Sequence, residues 1–332
     1  MLRAGHPVTI WARELPPNTT SNQAAAIWFP YLAKPREKVD PWAKFTLEFF
    51  REHIVPDPAS GCTSILVHDL YDKRVETPWW AGAVDNYQRL DASQLPKGYV
   101  DGFEVESVVI DTSIYMDYLV SWFKRLGGEI AQREVKDIRE ALDYCKLVVN
   151  CTGLGSRKLF RDKRLYPVRG QTVKVRPNGA KLALLDDRGP NSLAYIIPRS
   201  HDIVLGGTAQ ENDWELAPRA ADREDILRKA AAIDPRFAKV EILSEGVGLR
   251  PARPAVRLEA ERIGGERGYG FASESDSDLV LLKRSAVSDS INKSVSTADR
   301  TGTVIHNYGH GGAGFTLSWG CAEEVDKIAE EI

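Results

Sequence analysis

HNYGHGGAGFTLSW, residues 306 to 319, joins a short apolar strand at 303–305 to a helix through four glycines within 309–314. Glycine lacks a Cβ, so this backbone can adopt positive φ and lie flat against a planar ligand. The N-terminus of the helix carries unpaired N–H groups and partial positive charge, which suit an anion. An ordinary tight turn is the alternative. Apolar spacing of three and four predicts one buried helix face, formed by Trp319, Ala322, Val325, Ile328 and Ile332.

The bulk composition bounds the class of protein. A chain of 332 residues with 43% hydrophobic content predicts two domains or one large α/β assembly. The formal charge of -3, without a basic run, favours neither nucleic acid nor an anionic membrane as partner. No apolar stretch reaches membrane-spanning length, and the four cysteines lack metal-ligand spacing. Walker A, H-E-x-x-H and G-x-S-x-G motifs are also missing from the sequence.

The chain upstream of the glycine stretch predicts parallel and antiparallel sheets. Residues 1–5 resemble the last turn of a helix, and 8–12 a strand; a dinucleotide-binding fold has its first strand and G-x-G-x-x-G turn ahead of such a pair. We therefore expect an incomplete first βαβ unit. Residues 62–71 and 100–110 read as strands, and Asp40 with Pro41 as a helix start. Residues 111–127 predict a capped helix, and 147–150 a strand before the turn CTGLGS, a weak nucleotide signal.

Two further segments offer candidate ligand contacts. GVGLRPARP contains Arg250 and Arg253 among prolines and apolar residues, where a guanidinium could hold a carboxylate bidentately; a surface arginine is the alternative. NQAAAIWFPYL, residues 22 to 32, would let backbone approach a flat ligand, although core packing explains it equally well. The polar stretch at 265–301 predicts an exposed insertion.

The block VIHNYGHGGAGFTLSWGCA closely resembles the signature of the D-amino-acid oxidases, FAD enzymes of the glutathione-reductase-like flavoprotein class. Other segments agree in the same order: TTSNQAAAIWFPYL, VVNCTGLGSRKL, PVRGQTVKV, AYIIPR, VLGGT and VGLRPARPAVRLEAERI. The resemblance implies an α/β fold whose Rossmann-like FAD-binding domain, incomplete at its N-terminus, is interleaved with an antiparallel α+β substrate domain. We expect the first domain at 1–34, 111–172 and 248–332, and the second at 35–110 and 173–247.

Site residues follow from the same resemblance. It implies that Arg250 pairs with the substrate carboxylate, that Tyr195 hydrogen-bonds the same group, and that the carbonyl of Gly312 accepts from the substrate amine. Tyr31 and Ala209 are expected in the substrate pocket. The expected FAD contacts are Arg13, Thr20, Ser21, Ala25, Ala26, Ile27, Val135, Thr152, Gly311, Gly312, Gly314, Phe315 and Thr316.

The implied reaction is hydride transfer from the substrate Cα to flavin N5, with oxygen as final acceptor and hydrogen peroxide, ammonia and a 2-oxo acid as products. Ala209 offers no positive charge, which favours neutral D-amino acids, although Arg188 nearby keeps a D-aspartate oxidase open. A remnant that no longer binds FAD is the non-enzymatic alternative, since the shortened first unit predicts weak FAD binding. Relatives are often peroxisomal, but the chain ends in AEEI without a targeting tripeptide; a homodimer is a further expectation.

Overall fold

The computed structural model describes residues 1–30, 33–78, 80–187, 189–264, 301–332 and the backbone of 278–282. Its strands are β1 (Val8–Ala12), β2 (Cys62–Tyr71), β3 (Gln88–Arg89), β4 (Asp101–Ile110), β5 (Glu129–Gln132), β6 (Leu147–Asn150), β7 (Tyr166–Val175), β8 (Ala183–Asp186), β9 (Ala194–Pro198), β10 (Ile203–Gly206), β11 (Gln210–Glu211), β12 (Ile242–Ile263), β13 (Asp278–Leu282) and β14 (Gly302–His310). The helices are α1 (Arg36–Phe49), α2 (Thr112–Arg125), α3 (Ile138–Tyr144), α4 (Ser156–Leu159), α5 (Ala220–Ile233) and α6 (Gly314–Glu331).

The strands form one continuous sheet in the order β3-β4-β2-β8-β9-β10-β7-β12-β14-β6-β13-β1-β5, with β11 beside β7. The pairs β1–β5 and β6–β14 are parallel, as a dinucleotide-binding half requires. The stretch from β8 to β12 is antiparallel throughout. The expected mixed α/β class is therefore confirmed.

Strand β12 joins the two halves. Its first part pairs with β7, and its last part, from Arg257 onwards, pairs in a continuous register with β14. The expected domain limits at 172/173 and 247/248 both fall inside continuous strands, β7 and β12. Because one long strand can belong to two cores at once, this does not decide the domain limits, which stay a prediction.

Each half of the sheet buries its own core. At the antiparallel end, helix α5 packs on one face through Ile226, Ala230 and Ile233. The opposite face carries an aromatic cluster that includes Phe29, Tyr71, Trp80 and Phe103. At the parallel end, α1 and α6 pack together over β14. No helix among the described residues is long and apolar enough to cross a membrane.

Strand β13 differs from the expected exposed insertion. It lies between β6 and β1 and pairs antiparallel with both, so its backbone hydrogen bonds are used on two edges. The short run Asp278–Leu282, with four apolar residues in succession, suits a strand paired on both sides. Residues 265–277 and 283–300 of the predicted insertion lie outside the described residues, whereas its last residue, Thr301, is described.

Two helix predictions also needed correction. Helix α1 starts at Arg36 rather than Asp40, because the N–H of Val39 already donates to the carbonyl of Pro35 at 3.0 Å. The buried residues of α6 are Thr316, Leu317, Gly320, Cys321 and Val325. Of the predicted face, Val325 is buried and Trp319 and Ile328 pack half-buried on the same core, whereas Ala322 and Ile332 are exposed. The backbone of α1 at Trp42 lies against Gly320, which has no side chain.

Candidate active site

The candidate site lies on the face of the antiparallel sheet opposite α5. Tyr195 is paired with Gly206, Gly206 with Thr172, and Thr172 with Gly246. Residues directly opposite each other in paired strands point to the same face, so these four form one row. Arg250 is paired with Val168, an even number of positions from Thr172, and therefore shares that face.

Glycines make room for the two functional side chains. A Cβ on Gly170 would overlap the guanidinium of Arg250, and a Cβ on Gly206 would overlap the ring of Tyr195. The Nη1 of Arg250 donates to the carbonyl oxygen of Thr208 at 2.8 Å, which fixes one edge of the guanidinium. Its remaining N–H groups are the donors suited to a carboxylate. The backbone is thus shaped around a fixed Arg250 and Tyr195.

Tyr195 is half-buried beside Arg250. Burial raises the pKa of its hydroxyl, and the adjacent guanidinium of Arg250 partly opposes that rise. The hydroxyl therefore remains protonated at neutral pH and can donate a hydrogen bond.

The glycine loop, residues 309–314 between β14 and α6, contacts β12 next to Arg250. Gly309 and Gly311 have φ of 88° and 56°, in the region that favours glycine. The N–H of Gly311 donates to the carbonyl of Pro251 at 3.0 Å, directly after Arg250 in the chain. Gly312 follows, exposed to solvent. The loop is therefore tied to β12 next to Arg250, and the expected contact of the Gly312 carbonyl with the substrate amine stays a prediction.

The segment 20–29 forms another wall. Thr20 and Gln23, in the 3-10 turn Thr20–Gln23, pack on Gly248, whose Cβ would lie 3.3 Å from the Cβ of Gln23. Ala26 has a φ of 49°, unusual for a residue with a side chain. Ile27 forms a bridge with Val109 of β4. Ser21 and Ala25 are half-buried in the same segment.

Thr316 ties this wall to α6. Its Oγ1 donates to the carbonyl of Phe29 at 2.8 Å and accepts from the N–H of Phe29 at 3.1 Å. The Thr316 hydroxyl is therefore occupied by protein, and its backbone N–H is the group available to a cofactor. Gly314 and Phe315 begin the same helix, with Phe315 half-buried beside Tyr115 at a ring distance of 6.2 Å.

Three other expected FAD contacts surround the parallel strands. Arg13 follows β1 and forms an ion pair with Glu14 at 3.3 Å. Val135 is buried in the core below β1, so its backbone rather than its side chain is suited to a ligand. Thr152 follows β6 and shares a 2.7 Å hydrogen bond with Ser156. The residue is 4% exposed, its N–H donates to Asn150 and its carbonyl accepts from Gly155, so its expected FAD contact stays a prediction.

The predicted pocket residues are only partly described. Ala209 is half-buried between Thr208, whose carbonyl holds Arg250, and β11. Tyr31 and Arg188 lie outside the described residues. Arg253, the other candidate anchor, is engaged elsewhere: its Nε lies 2.8 Å from the carboxylate of Asp162.

Sequence reasoning missed Thr172 and the glycines that share its face of the sheet, Gly170, Gly206, Gly246 and Gly248. The Oγ1 of Thr172 is buried without a hydrogen-bond partner in the described part of the chain, on the face that holds Tyr195. Glycines at alternating positions 246 and 248, ahead of the candidate anchor Arg250, were the available signal. Only the strand register shows that Gly170 and Gly206 join them on one face.

The described residues fit a flavin. The N–H groups of Gly314, Phe315 and Thr316 belong to the first turn of α6 and therefore have no intrahelical acceptor. The helix also has no side-chain cap and no acidic residue in this turn. A Cβ built on Gly311 or Gly314 would meet no atom within 4 Å, so open space adjoins these donors. Such donors can hold the carbonyl edge of an isoalloxazine and offset negative charge on it. No group of metal-ligating residues occurs within the described ranges.

Comparisons with known proteins agree with this geometry. Residues 1–328 match the family model described as FAD dependent oxidoreductase. A D-amino-acid oxidase of Dictyostelium discoideum is 43% identical, covering 98% of this chain and 84% of that protein. A D-amino-acid oxidase of Rubrobacter xylanophilus is 38% identical over 98% of this chain and 89% of its own length. Glycine oxidase from Bacillus cereus shares the fold, with a TM-score of 0.72, 17% identity, and coverage of 100% and 90%.

Proposed function

Because the chain belongs to the FAD dependent oxidoreductase family, we propose that it oxidises neutral D-amino acids to 2-oxo acids, ammonia and hydrogen peroxide. The observation that carries the proposal is that Arg250 and Tyr195 share one face of the sheet, while the N–H of Gly311 donates to Pro251, directly after Arg250, ahead of the uncapped start of α6. The two relatives named as D-amino-acid oxidases support the substrate class.

The site residues bind and orient the substrate. Arg250 and the Tyr195 hydroxyl hold the carboxylate, and the carbonyl of Gly312 accepts a hydrogen bond from the amine. With carboxylate and amine fixed, one enantiomer presents its Cα hydrogen to the ring. FAD, when bound, would supply a two-electron acceptor for that hydride, with oxygen as the final acceptor. The first-turn N–H groups of α6 would hold the edge of the ring and offset negative charge there.

The product follows by mass balance. Loss of a hydride from Cα and of a proton from the amine leaves an imino acid, which water converts to a 2-oxo acid and ammonia. Oxygen takes up two electrons and two protons to give hydrogen peroxide. Hydride transfer in this arrangement depends on alignment of the Cα–H bond more than on a side-chain base.

Ala209 supports the preference for neutral side chains. It offers space without charge, and burying a side-chain carboxylate without a partner is costly. An apolar side chain gains about 0.8 kcal/mol per buried methylene.

The experiment is anaerobic reduction of the FAD-loaded protein, followed by its absorption at roughly 450 nm. We expect D-alanine to bleach the band, L-alanine to leave it unchanged, and D-aspartate to act at least about tenfold more slowly. Aerobic turnover should then yield hydrogen peroxide. An FAD-loaded protein that no D-amino acid bleaches would overturn the proposal, and faster bleaching by D-aspartate would move it to the D-aspartate oxidase alternative.

A further inference from the structure

A buried ion pair lies behind the glycine loop. Arg253 and Asp162 are 6% and 4% exposed at their side chains, with Nε and Oδ2 2.8 Å apart. The hydroxyl of Tyr308 donates to the same Oδ2 at 3.0 Å. We call Asp162, Arg253 and Tyr308 the loop anchor. Burying such a pair costs free energy because both ions lose their hydration, and only good geometry with further hydrogen bonds offsets that cost.

The loop anchor is in contact with the loop backbone. The Cβ and Cδ of Arg253 lie 3.0 Å from where a Cβ on Gly309 would be, so the arginine stem crosses Gly309 directly. Gly309 follows Tyr308 and has a φ of 88°. Arg253 also donates from Nη1 to the carbonyl of Ala255 at 2.7 Å, which holds the guanidinium in the plane of the strand.

The carboxylate is ionised in this arrangement. Burial alone would raise the pKa of Asp162, but hydrogen bonds from Arg253, the N–H of Arg164 and Tyr308 outweigh it and hold the pKa below its usual value. Asp162 therefore remains an anion at neutral pH, paired with a guanidinium that does not deprotonate.

A network of hydrogen bonds extends from the loop anchor to the turn at Thr152, which is a second segment where FAD contacts are expected. Arg257 donates to Tyr308 at 3.0 Å and to Glu261 at 2.8 Å. His306 lies 2.9 Å from Glu261 and 3.1 Å from the amide of Asn150. Asn150 accepts from the N–H of Thr152 at 3.1 Å. The glycine loop and the turn at Thr152 are thus fixed by one network.

We propose that Asp162, Arg253 and Tyr308 are positioning residues, which set where the carbonyl of Gly312 meets the substrate amine relative to Arg250. The inference rests on the proposed function. Arg250 stands on β12 and Gly312 on the loop after β14, so their separation depends on how the loop is held against β12. Arg253 stands on β12 three residues beyond Arg250, pairs with Asp162 and contacts Gly309 of the loop, so it links this part of β12 to the loop.

The test compares benzoate with anthranilate, which adds an amine beside the same carboxylate, as ligands of the FAD-loaded protein. Wild type should bind anthranilate more tightly, through Gly312. In Asp162→Asn we expect the ratio of the two affinities to fall at least about fivefold, while benzoate affinity stays within about twofold. Tyr308→Phe, a milder change that keeps the ion pair, should lower the ratio about twofold.

A second readout needs neither ligand nor turnover. Amide hydrogen exchange in a peptide covering residues 309–314 should speed up at least about fivefold in Asp162→Asn, because the bond from Gly311 to Pro251 loosens. The control is Arg176→Met, which removes an exposed ion pair with Glu241 at 2.6 Å. It should change neither the ratio nor the exchange.

The outcomes are separable. An unchanged ratio and unchanged exchange in folded Asp162→Asn and Tyr308→Phe would overturn the inference, as would a wild type that binds both ligands equally. A wild type that shows the ratio but oxidises no D-amino acid would overturn the proposed function and leave the positioning role standing.

Discussion

At the scale of single residues, Arg250 and Arg253 have separate tasks although they stand three positions apart. Arg250 shares a face with Tyr195 and has N–H groups to spare, whereas Arg253 is committed to Asp162. In our proposals the same side-chain chemistry therefore serves substrate binding at Arg250 and loop positioning at Arg253. Register and neighbours decide the difference.

Arg250→Lys should lower kcat/KM for D-alanine strongly, because an ammonium is a point charge and cannot grip a carboxylate with two parallel hydrogen bonds. Losing such a contact costs roughly 2 to 4 kcal/mol of transition-state stabilisation. Steady-state kinetics of the FAD-loaded variant measure it, with Arg176→Lys as the control. Kinetics within about threefold of wild type would show that the carboxylate is held by another group.

Ala209→Arg should shift the side-chain preference towards acids. A guanidinium beside the pocket would pair with the side chain of D-aspartate, so we expect the D-aspartate to D-valine ratio of kcat/KM to rise at least about tenfold, or roughly 1.4 kcal/mol. Ala209→Met provides a control of similar length without charge. If the parent already favours D-aspartate, another cation reaches the side chain and the preference for neutral substrates is wrong.

At the scale of elements, α6 has an uncapped N-terminus, where we propose that the flavin binds, and packs along its length on α1. The N–H of Gly320 donates to Oγ1 of Thr46 at 2.9 Å, and that hydroxyl donates to the carbonyl of Trp42 at 2.8 Å. A side-chain hydroxyl of one helix is thus inserted against the backbone of the other. Close contact of the two backbones keeps the cofactor end of α6 in place.

Gly320→Ala should destabilise the protein, because the new Cβ would overlap backbone atoms of Trp42, which have no freedom to rotate away. We expect a loss of about 1 to 3 kcal/mol in the free energy of unfolding, measured with urea. Lys327→Ala, on the exposed side of the same helix, should change it by less than about 0.5 kcal/mol. Equal stability of Gly320→Ala and wild type would show that α1 and α6 can separate at little cost.

At the scale of the whole molecule, buried histidines link stability to pH. Burial, followed by the nearby charge of Arg257, lowers the pKa of His306 to about 4, from an ordinary 6.5. Between these two pH values His306 stays neutral in the folded protein, whereas the same histidine binds a proton in the unfolded chain. The stability from this group is complete above pH 6.5 and is lost as pH falls towards about 4.

His306→Gln should reduce that dependence, since glutamine can donate and accept hydrogen bonds but does not titrate. Between pH 7.5 and 5 we expect wild type to lose about 2 kcal/mol more unfolding free energy than the variant does over the same interval. Urea unfolding at the two pH values measures the difference, and comparing intervals removes the direct cost of the substitution. Parallel losses in both proteins would contradict a neutral, buried His306.

The sequence alone determined the kind of fold and most of its segments. Local signals were sufficient for β2 at Cys62–Tyr71, β6 at Leu147–Asn150 and the start of α6 after the glycines, since alternation, β-branching and glycine act over a few residues. The same stretch, together with the order of the other motifs, also pointed to FAD and to Arg250, Tyr195 and Gly312.

Tertiary structure decided what depends on contacts between distant residues. The pairing of Arg250 with Val168, the row from Tyr195 to Gly246, and the close approach of α1 to Gly320 all join segments far apart in the chain. Strand β13 lies inside the sheet for the same reason. Its position between β6 and β1 depends on pairing with two distant strands, which the composition of its own segment does not predict. Side-chain type is a local property, whereas the face and neighbours of a side chain follow from register and packing, which only the folded chain fixes.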